Sequence, residues 1–385
     1  MTNKSPHSLL PAGMVDLLPP DAELESSAIE SLMTSFKRNG YDQVNPPLAE
    51  FEENLMHGSG AATATQSFRL MDPISQEMMA LRADMTIQIE RIASSRLLDL
   101  PRPLRLSYTG QVLRVTGSDL RPQRQFSQVG AELIGSEAPS ADVEIILMAA
   151  KGLLDLGIVD LSVDLGMPTL VEEICDDIGI VDEDERRFLR TALNQKDAAA
   201  ISEIGGKSSK VFNALLSAVG PVATSLDVIK KIQLSAQAEL ELNHLESVVV
   251  SLKDRAPWLT ITMDPVEIRG YEYHKWLTFT IFARGIRGEL GRGGRYVIVG
   301  NSGSSEREFG TGVTLFIDTV VDSLPKPDPP KRVFIPLDSN EELANNCSRE
   351  GWITIAELIP STNQSVEAIR LGCTHILHND KIEKL

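Results

Sequence analysis

Cysteine is scarce in this sequence. Cys175, Cys347 and Cys373 are the whole supply, they lie far apart, and no CxxC pair occurs. That excludes a disulfide framework and a cysteine-based zinc site, and it fits a reducing compartment. Histidine is sparse too: His7, His57, His244, His274, His375 and His378 show no HExxH or other metal-ligand spacing. No metal is expected, and no GxxxxGK[ST] phosphate loop or other cofactor signature suggests a cofactor. Long apolar runs are also missing. No window approaches the roughly 20 apolar residues of a membrane span, and the opening MTNKSPHSLLPAGMVDLLPP has no stretch of signal-peptide length. A soluble, cytoplasmic protein is expected. Positive charge is in deficit, with 37 Lys and Arg against 54 Asp and Glu and a formal net charge of -17. Broad nucleic-acid binding needs a net basic surface and is therefore not expected, although a local basic patch is compatible with this balance.

What is present is an ordinary globular composition over 385 residues, 42% hydrophobic and 24% charged, enough for one large domain and a small one. Residues 21–40 carry apolar positions at helical spacing and stop at Gly40. YDQVNPP predicts a short strand, 58–67 a mobile loop, and FRLMDPISQEMMALR a hairpin turning at Asp72-Pro73. A helix restarts in DMTIQIERIASSRLL. PLRLSYTGQVLRV and RQFSQVGAELIG alternate as strands around the loop TGSDLRPQ. APSADVEIILMAAKGLLDLG predicts a helix capped by Ser140 or Asp142. LSVDLG reads as a strand, and residues 168 to about 256 are almost wholly helical. Strand signals return over 259–285, 288–296 and 306–324. Residues 325–331, PKPDPPK, form a proline-rich linker. Residues 332–385 then read as a small βαβαβ unit. The class is α+β: antiparallel strands flanked by helices over 1–324, a helical insertion at about 168–256, and a small C-terminal α/β domain.

Arginine is distributed unevenly. Arg96, Arg102, Arg105, Arg114, Arg121 and Arg124 fall in a span without lysine, and Arg269, Arg284, Arg287, Arg292, Arg295 and Arg307 follow on the later strands and loops. Arginine without lysine suits a planar grip on carboxylate or phosphate; ordinary pairing with surface acids is the alternative. Asp84 and Glu132 lie among apolar residues. Gln128, Gly130 and Glu132 share one face of a strand, with Gly130 leaving room between them. A polar pocket floor and ordinary strand alternation both remain open. His274, in RGYEYH, is the one histidine in a suggestive run.

These segments, in this order, resemble the class II aminoacyl-tRNA synthetases, and histidyl-tRNA synthetase most closely. PAGMVDLLPP, YDQVNPPLAEF, LRADMT, YTGQVLR, RQFSQVGAELIG, IRGYEYH, GRGGRY and FGTGVTLFIDTV look like successive family motifs, over roughly residues 10 to 324. The resemblance implies a histidine pocket. In it, Asp84, Thr86 and Gln128 hold the amino group, Arg114 and Arg269 face the carboxylate, and Glu132 reads the imidazole with Tyr296 or His274 opposite. Tyr273 belongs to the same run. The departures matter as much. Thr116 stands where the family's motif 2 has a glutamate, and Thr319 where motif 3 has the arginine that holds the ATP phosphate tail. The C-terminal unit is short and acidic for an anticodon-binding domain. This combination resembles the synthetase paralogue that serves as the regulatory subunit of ATP phosphoribosyltransferase. That resemblance implies a protein with no catalytic residues of its own, a homodimer within a hetero-octamer. Its partner is the short-form catalytic subunit, in the first step of histidine biosynthesis. It activates that partner and takes part in feedback inhibition, with L-histidine as effector. A divergent histidyl-tRNA synthetase is the alternative, and an RNA-binding regulator on the same fold is a third reading.

Overall fold

The computed structural model describes residues 9–56, 65–117, 121–267, 274–299, 307–326 and 330–385. The expected mobile loops at 58–67 and 300–310, and part of the 116–123 loop, fall largely or partly outside those residues. The chain divides into two units, Met1–Leu324 and Pro325–Leu385.

The first unit is built on a nine-stranded sheet. Its middle is antiparallel: Leu104–Leu113 pairs with Gln125–Ile134, then Arg307–Phe316, Gly291–Val299, His274–Ala283 and Leu161–Gly166. Parallel pairs occur toward the margins, Asp42–Gln43 beside Leu104–Leu113 and Leu161–Gly166 beside Thr260–Met263. Parallel neighbours need a long crossover. For the second pair that crossover is the predicted helical block, which folds as helices from Leu170–Ile178 through Ala236–Arg255, with the edge strand Gly220–Pro221 between them.

Strand alternation splits the sheet into two faces. Val129, Ala131 and Leu133 look toward a large core with Val313 and Leu315, closed by helix Pro139–Asp155 and by Leu32 and Phe36 of helix Asp21–Arg38. The even positions look the other way. There a smaller core of Tyr108, Phe126, Tyr296 and Phe316 is roofed by Met85 and by Ile89 and Ala93 of helix Thr86–Ser95. The predicted hairpin forms beside it as Arg69–Met71 and Met78–Leu81, with Ala49–Phe51 as its third strand. Asp72 stabilises the turn by accepting from the backbone of Ile74 and Ser75.

The predicted cap at Ser140 or Asp142 is not what the structure shows. Ala138 is the N-cap, with extended backbone, and Pro139 opens the helix. Asp142 is wholly buried instead. Its Oδ2 accepts from Arg295 Nη2 at 2.6 Å and lies 2.6 Å from His244 Nε2. Arg295 is wholly buried, and leaving its guanidinium without a counter-charge would be costly, which accounts for a carboxylate at this position.

In the second unit the strands run Ile353–Ala356, Arg332–Ile335, His375–His378, Lys381–Lys384. The first three are parallel, as a βαβαβ unit requires; the fourth returns antiparallel as an addition to that pattern. Asn379 and Asp380 make its turn with φ of 46° and 61°, the left-handed pair a two-residue hairpin loop needs.

Candidate functional site

On the even face three large polar side chains lie over glycines of neighbouring strands. Tyr108 pairs with Gly130, where an added Cβ would come within 2.2 Å of its ring. Glu132 pairs with Gly312, where a Cβ would sit 1.6 Å from its Oε2. Tyr296 pairs with Gly310, and a Cβ there would meet its ring at 2.6 Å. The glycines therefore let three polar-tipped side chains lie flat across the sheet and bring their tips together. The room left by Gly130 is taken by Tyr108 and is not open pocket space, while Glu132 on the same face does line the cavity described next. The sequence reading missed Tyr108 altogether.

Above this layer is a cavity of about 240 Å³. Asp84, Thr86, Arg114, Glu132, His274 and Tyr296 all line it, joined by Gln66, Arg292, Thr314 and Phe316. Both oxygens of Glu132 accept from phenols, Oε1 from Tyr108 at 3.2 Å and Oε2 from Tyr296 at 2.9 Å. The Tyr108 hydroxyl also lies 2.9 Å from Thr314 Oγ1 and 3.2 Å from Thr86 Oγ1. Burial pushes the Glu132 carboxyl up to about 8, against the pull of the Tyr296 hydrogen bond. Burial also holds the His274 imidazole down at about 4, with the nearby Arg292 adding to the effect.

Asp84 is held from two sides. Its Oδ1 accepts from the Thr86 backbone N–H at 2.9 Å, and its Oδ2 from Gln128 Nε2 at 3.0 Å. Gln128 is wholly buried and is not on the cavity wall, so it positions Asp84 where a direct ligand contact was expected. Arg114 stands at the other end. Its Nε donates to the Ala83 carbonyl at 3.2 Å and its guanidinium lies 5.0 Å from the Phe126 ring centre. Among the described residues no carboxylate is within ion-pair distance of it. Burial lowers its pKa, while Asp84 counters that. Arg269 and Tyr273 lie outside the described residues. The cavity thus has an acidic wall, Asp84 and Glu132, and a basic one, Arg114 and Arg292. A small zwitterion with a second polar group matches that polarity.

Other predicted arginines are paired internally. Arg102 bonds Glu308 and Arg105 bonds Glu144, as the pairing alternative requires. Arg121 is tied to Asp318 at 2.8 Å and to the Thr319 hydroxyl at 3.2 Å. Among the described residues no cluster of three His, Cys, Asp or Glu could hold a metal ion, and no helix is long and apolar enough to cross a membrane.

Comparison with known proteins narrows the meaning of this geometry. The family model described as histidyl-tRNA synthetase matches residues 13–320. An ATP phosphoribosyltransferase regulatory subunit from Paramagnetospirillum magneticum is 49% identical over 99% of both chains. One from Rhodospirillum centenum is 47% identical over 98% of this chain and 96% of its own. The chain belongs to the family of ATP phosphoribosyltransferase regulatory subunits, which carries the histidyl-tRNA synthetase fold. Solved structures agree on that fold. The regulatory subunit/histidyl-tRNA synthetase from Bacillus halodurans superposes with a TM-score of 0.81 at 24% identity, over 95% of this chain and 97% of that one. A chain of the HisG:HisZ ATP phosphoribosyl transferase complex from Thermotoga maritima gives 0.60 at 16% identity, over 76% and 97%.

Proposed function

We propose that this chain binds the short-form catalytic subunit of ATP phosphoribosyltransferase, activates it, and takes part in feedback inhibition by L-histidine bound in the cavity. The near full-length identity to regulatory subunits supports the partner. The observation that carries the ligand is the polarised cavity. Asp84 and the Thr86 hydroxyl suit the amino group, and Arg114 suits the carboxylate; Arg269, the second arginine the resemblance implies there, lies outside the described residues. Glu132 and Tyr296 suit one edge of the imidazole, with His274 near the other. A ring N–H or imidazolium at Glu132 favours its ionised form, so binding and proton release are coupled there. Regulation follows as linkage. Histidine held more tightly in one state of the assembly shifts the partner toward that state, with a coupling of about 1–3 kcal/mol. The assembly is a hetero-octamer built on dimers of this chain, in the cytoplasm.

The test combines purified chain with the catalytic subunit and measures mass, turnover and inhibition by histidine. A complex of higher mass, faster turnover and histidine inhibition are expected. Absence of both a complex and any change in rate would sink the proposal. Histidine-dependent ATP–pyrophosphate exchange by this chain alone would replace it with a synthetase.

A further inference from the structure

Trp276 has a backbone φ of 69°. That is the left-handed region, open to glycine and a genuine outlier for a bulky aromatic residue. It falls where strand His274–Ala283 leaves regular pairing. His274 is opposite Tyr296 and Thr278 is opposite Gly294, so residues 275–277 face only Arg295 of the neighbouring strand. A bulge of this kind re-aims side chains. In a regular strand His274 and Trp276, two apart, would share a face. Here they part. His274 lines the cavity, its ring close to Gly294, where an added Cβ would come within 2.9 Å of Nδ1. Trp276 turns to the face that carries the helices. Its ring centre lies 5.0 Å from that of His244 on helix Ala236–Arg255, edge to face at 71°, and 5.3 Å from that of Phe309. The Arg295 guanidinium is 5.9 Å away. His244 and Arg295 are themselves fixed by the wholly buried Asp142. A strained residue persists only where its surroundings over-determine it, and these contacts do so.

We propose that Trp276 is a positioning residue for the cavity: its indole, seated on His244, Phe309 and Arg295, holds the bulge in the conformation that turns His274 into the cavity wall. The helical insertion, through His244, thereby shapes the wall that reads the ligand's ring without touching the ligand. The proposal rests on the reading of the cavity as a histidine site and adds a residue that lies outside it. Filling space beside His244 does not by itself require a left-handed residue. Sending residues 274 and 276 to opposite faces of one strand does require a break in the regular backbone, and Trp276 is where that break is made.

Full-length wild type, Trp276→Gly, His274→Ala and the double variant are titrated with L-histidine by calorimetry. Glycine is at ease at a φ of 69°, so Trp276→Gly keeps the bulge accessible while removing its anchor. Trp276→Asn is the second variant should that one fold poorly, because asparagine also tolerates the left-handed region. Trp276→Gly should lose about tenfold in affinity, roughly as His274→Ala does. The double variant should lose no more than about tenfold, since both changes act through one ring. Losses that multiply to about 100-fold in the double variant would overturn the proposal, because Trp276 would then act by another route. A folded Trp276→Gly that binds like the wild type would overturn it too. Failure of the wild type to bind histidine removes the histidine reading alone. Positioning is then judged from the His274 imidazole, followed by nuclear magnetic resonance in nitrogen-labelled chain and assigned with His274→Ala. In the wild type that ring, facing Arg292 and Asp84, should stay neutral down to about pH 4. In Trp276→Gly, released toward water, it should titrate near pH 6.5 or so, at about the ordinary histidine value. Identical titration in the two proteins would overturn the positioning role.

Discussion

Replacing Glu132 by glutamine removes one ionisable group from the floor of the cavity while keeping its shape. Stability against pH should reveal the loss. Glu132 is raised to about 8 from 4.5, so the folded chain holds a proton there that the unfolded chain has released. Its contribution is present in full below pH 4.5 and disappears as pH rises to about 8. His274 works in the opposite direction. Lowered to about 4 from 6.5, it contributes stability above pH 6.5 that is lost as pH falls toward 4. The two overlap in acid, but between pH 6.5 and 8 Glu132 acts alone. One pKa unit is about 1.4 kcal/mol, so over that window the wild type should lose about 2 kcal/mol relative to Glu132→Gln. Urea midpoints followed by tryptophan fluorescence at several pH values give the difference directly. Trp352→Phe should be the background for both proteins, because Trp352 reports on the C-terminal unit while Trp258 and Trp276 report on the first. Histidine affinity should fall about 10- to 100-fold with the charge-assisted bond. Parallel stability profiles from pH 6.5 to 8.5 would refute the reasoning, because burial would then not be perturbing this carboxyl.

Gly312→Ala places a Cβ 1.6 Å from Glu132 Oε2; the flexible carboxylate can yield, so a fold destabilised by about 1–3 kcal/mol is expected, with histidine binding abolished in calorimetry. Arg295→Ala leaves Asp142 buried beside His244 with its main counter-charge gone, and urea unfolding should show a loss of about 3–5 kcal/mol. Tyr108→Phe removes the hydroxyl shared by Glu132, Thr314 and Thr86. It should cost about 1–3 kcal/mol in stability and weaken histidine binding in the same titration.

Local signals in the sequence were enough for most of the elements. Helical spacing with Gly40 as a stop marks Asp21–Arg38, and Asp72-Pro73 marks the hairpin turn. Six of the nine residues singled out for the pocket line one cavity, and Gln128 stands one layer behind, holding Asp84. What was not legible depends on register. Whether Tyr108 fills the space over Gly130 or points elsewhere is decided by pairing across two strands, and period-two alternation says nothing about which residue lies opposite. Asp142 was misread for a related reason. Cap preference is a local property, whereas its partner Arg295 is far along the chain and comes near only when the sheet is complete. The pairing of Arg121 with Asp318 is equally non-local. The extra strand Lys381–Lys384 did have a local signal, the Asn379-Asp380 turn, which the βαβαβ reading passed over.

The helical crossover between Leu161–Gly166 and Thr260–Met263 also orders events in time. Asp84, Tyr108 and Glu132 are synthesised before it; Tyr296, Gly312 and Thr314 only after it. The enclosure of the Glu132 carboxyl therefore cannot be completed before the insertion has been synthesised. Pairs so distant in sequence close late, because loop entropy must be overcome before their contacts form. Folding at neutral pH should therefore take up a proton onto Glu132, whose carboxyl burial raises to about 8. A refolding rate measured across neutral pH would carry the signature of that uptake.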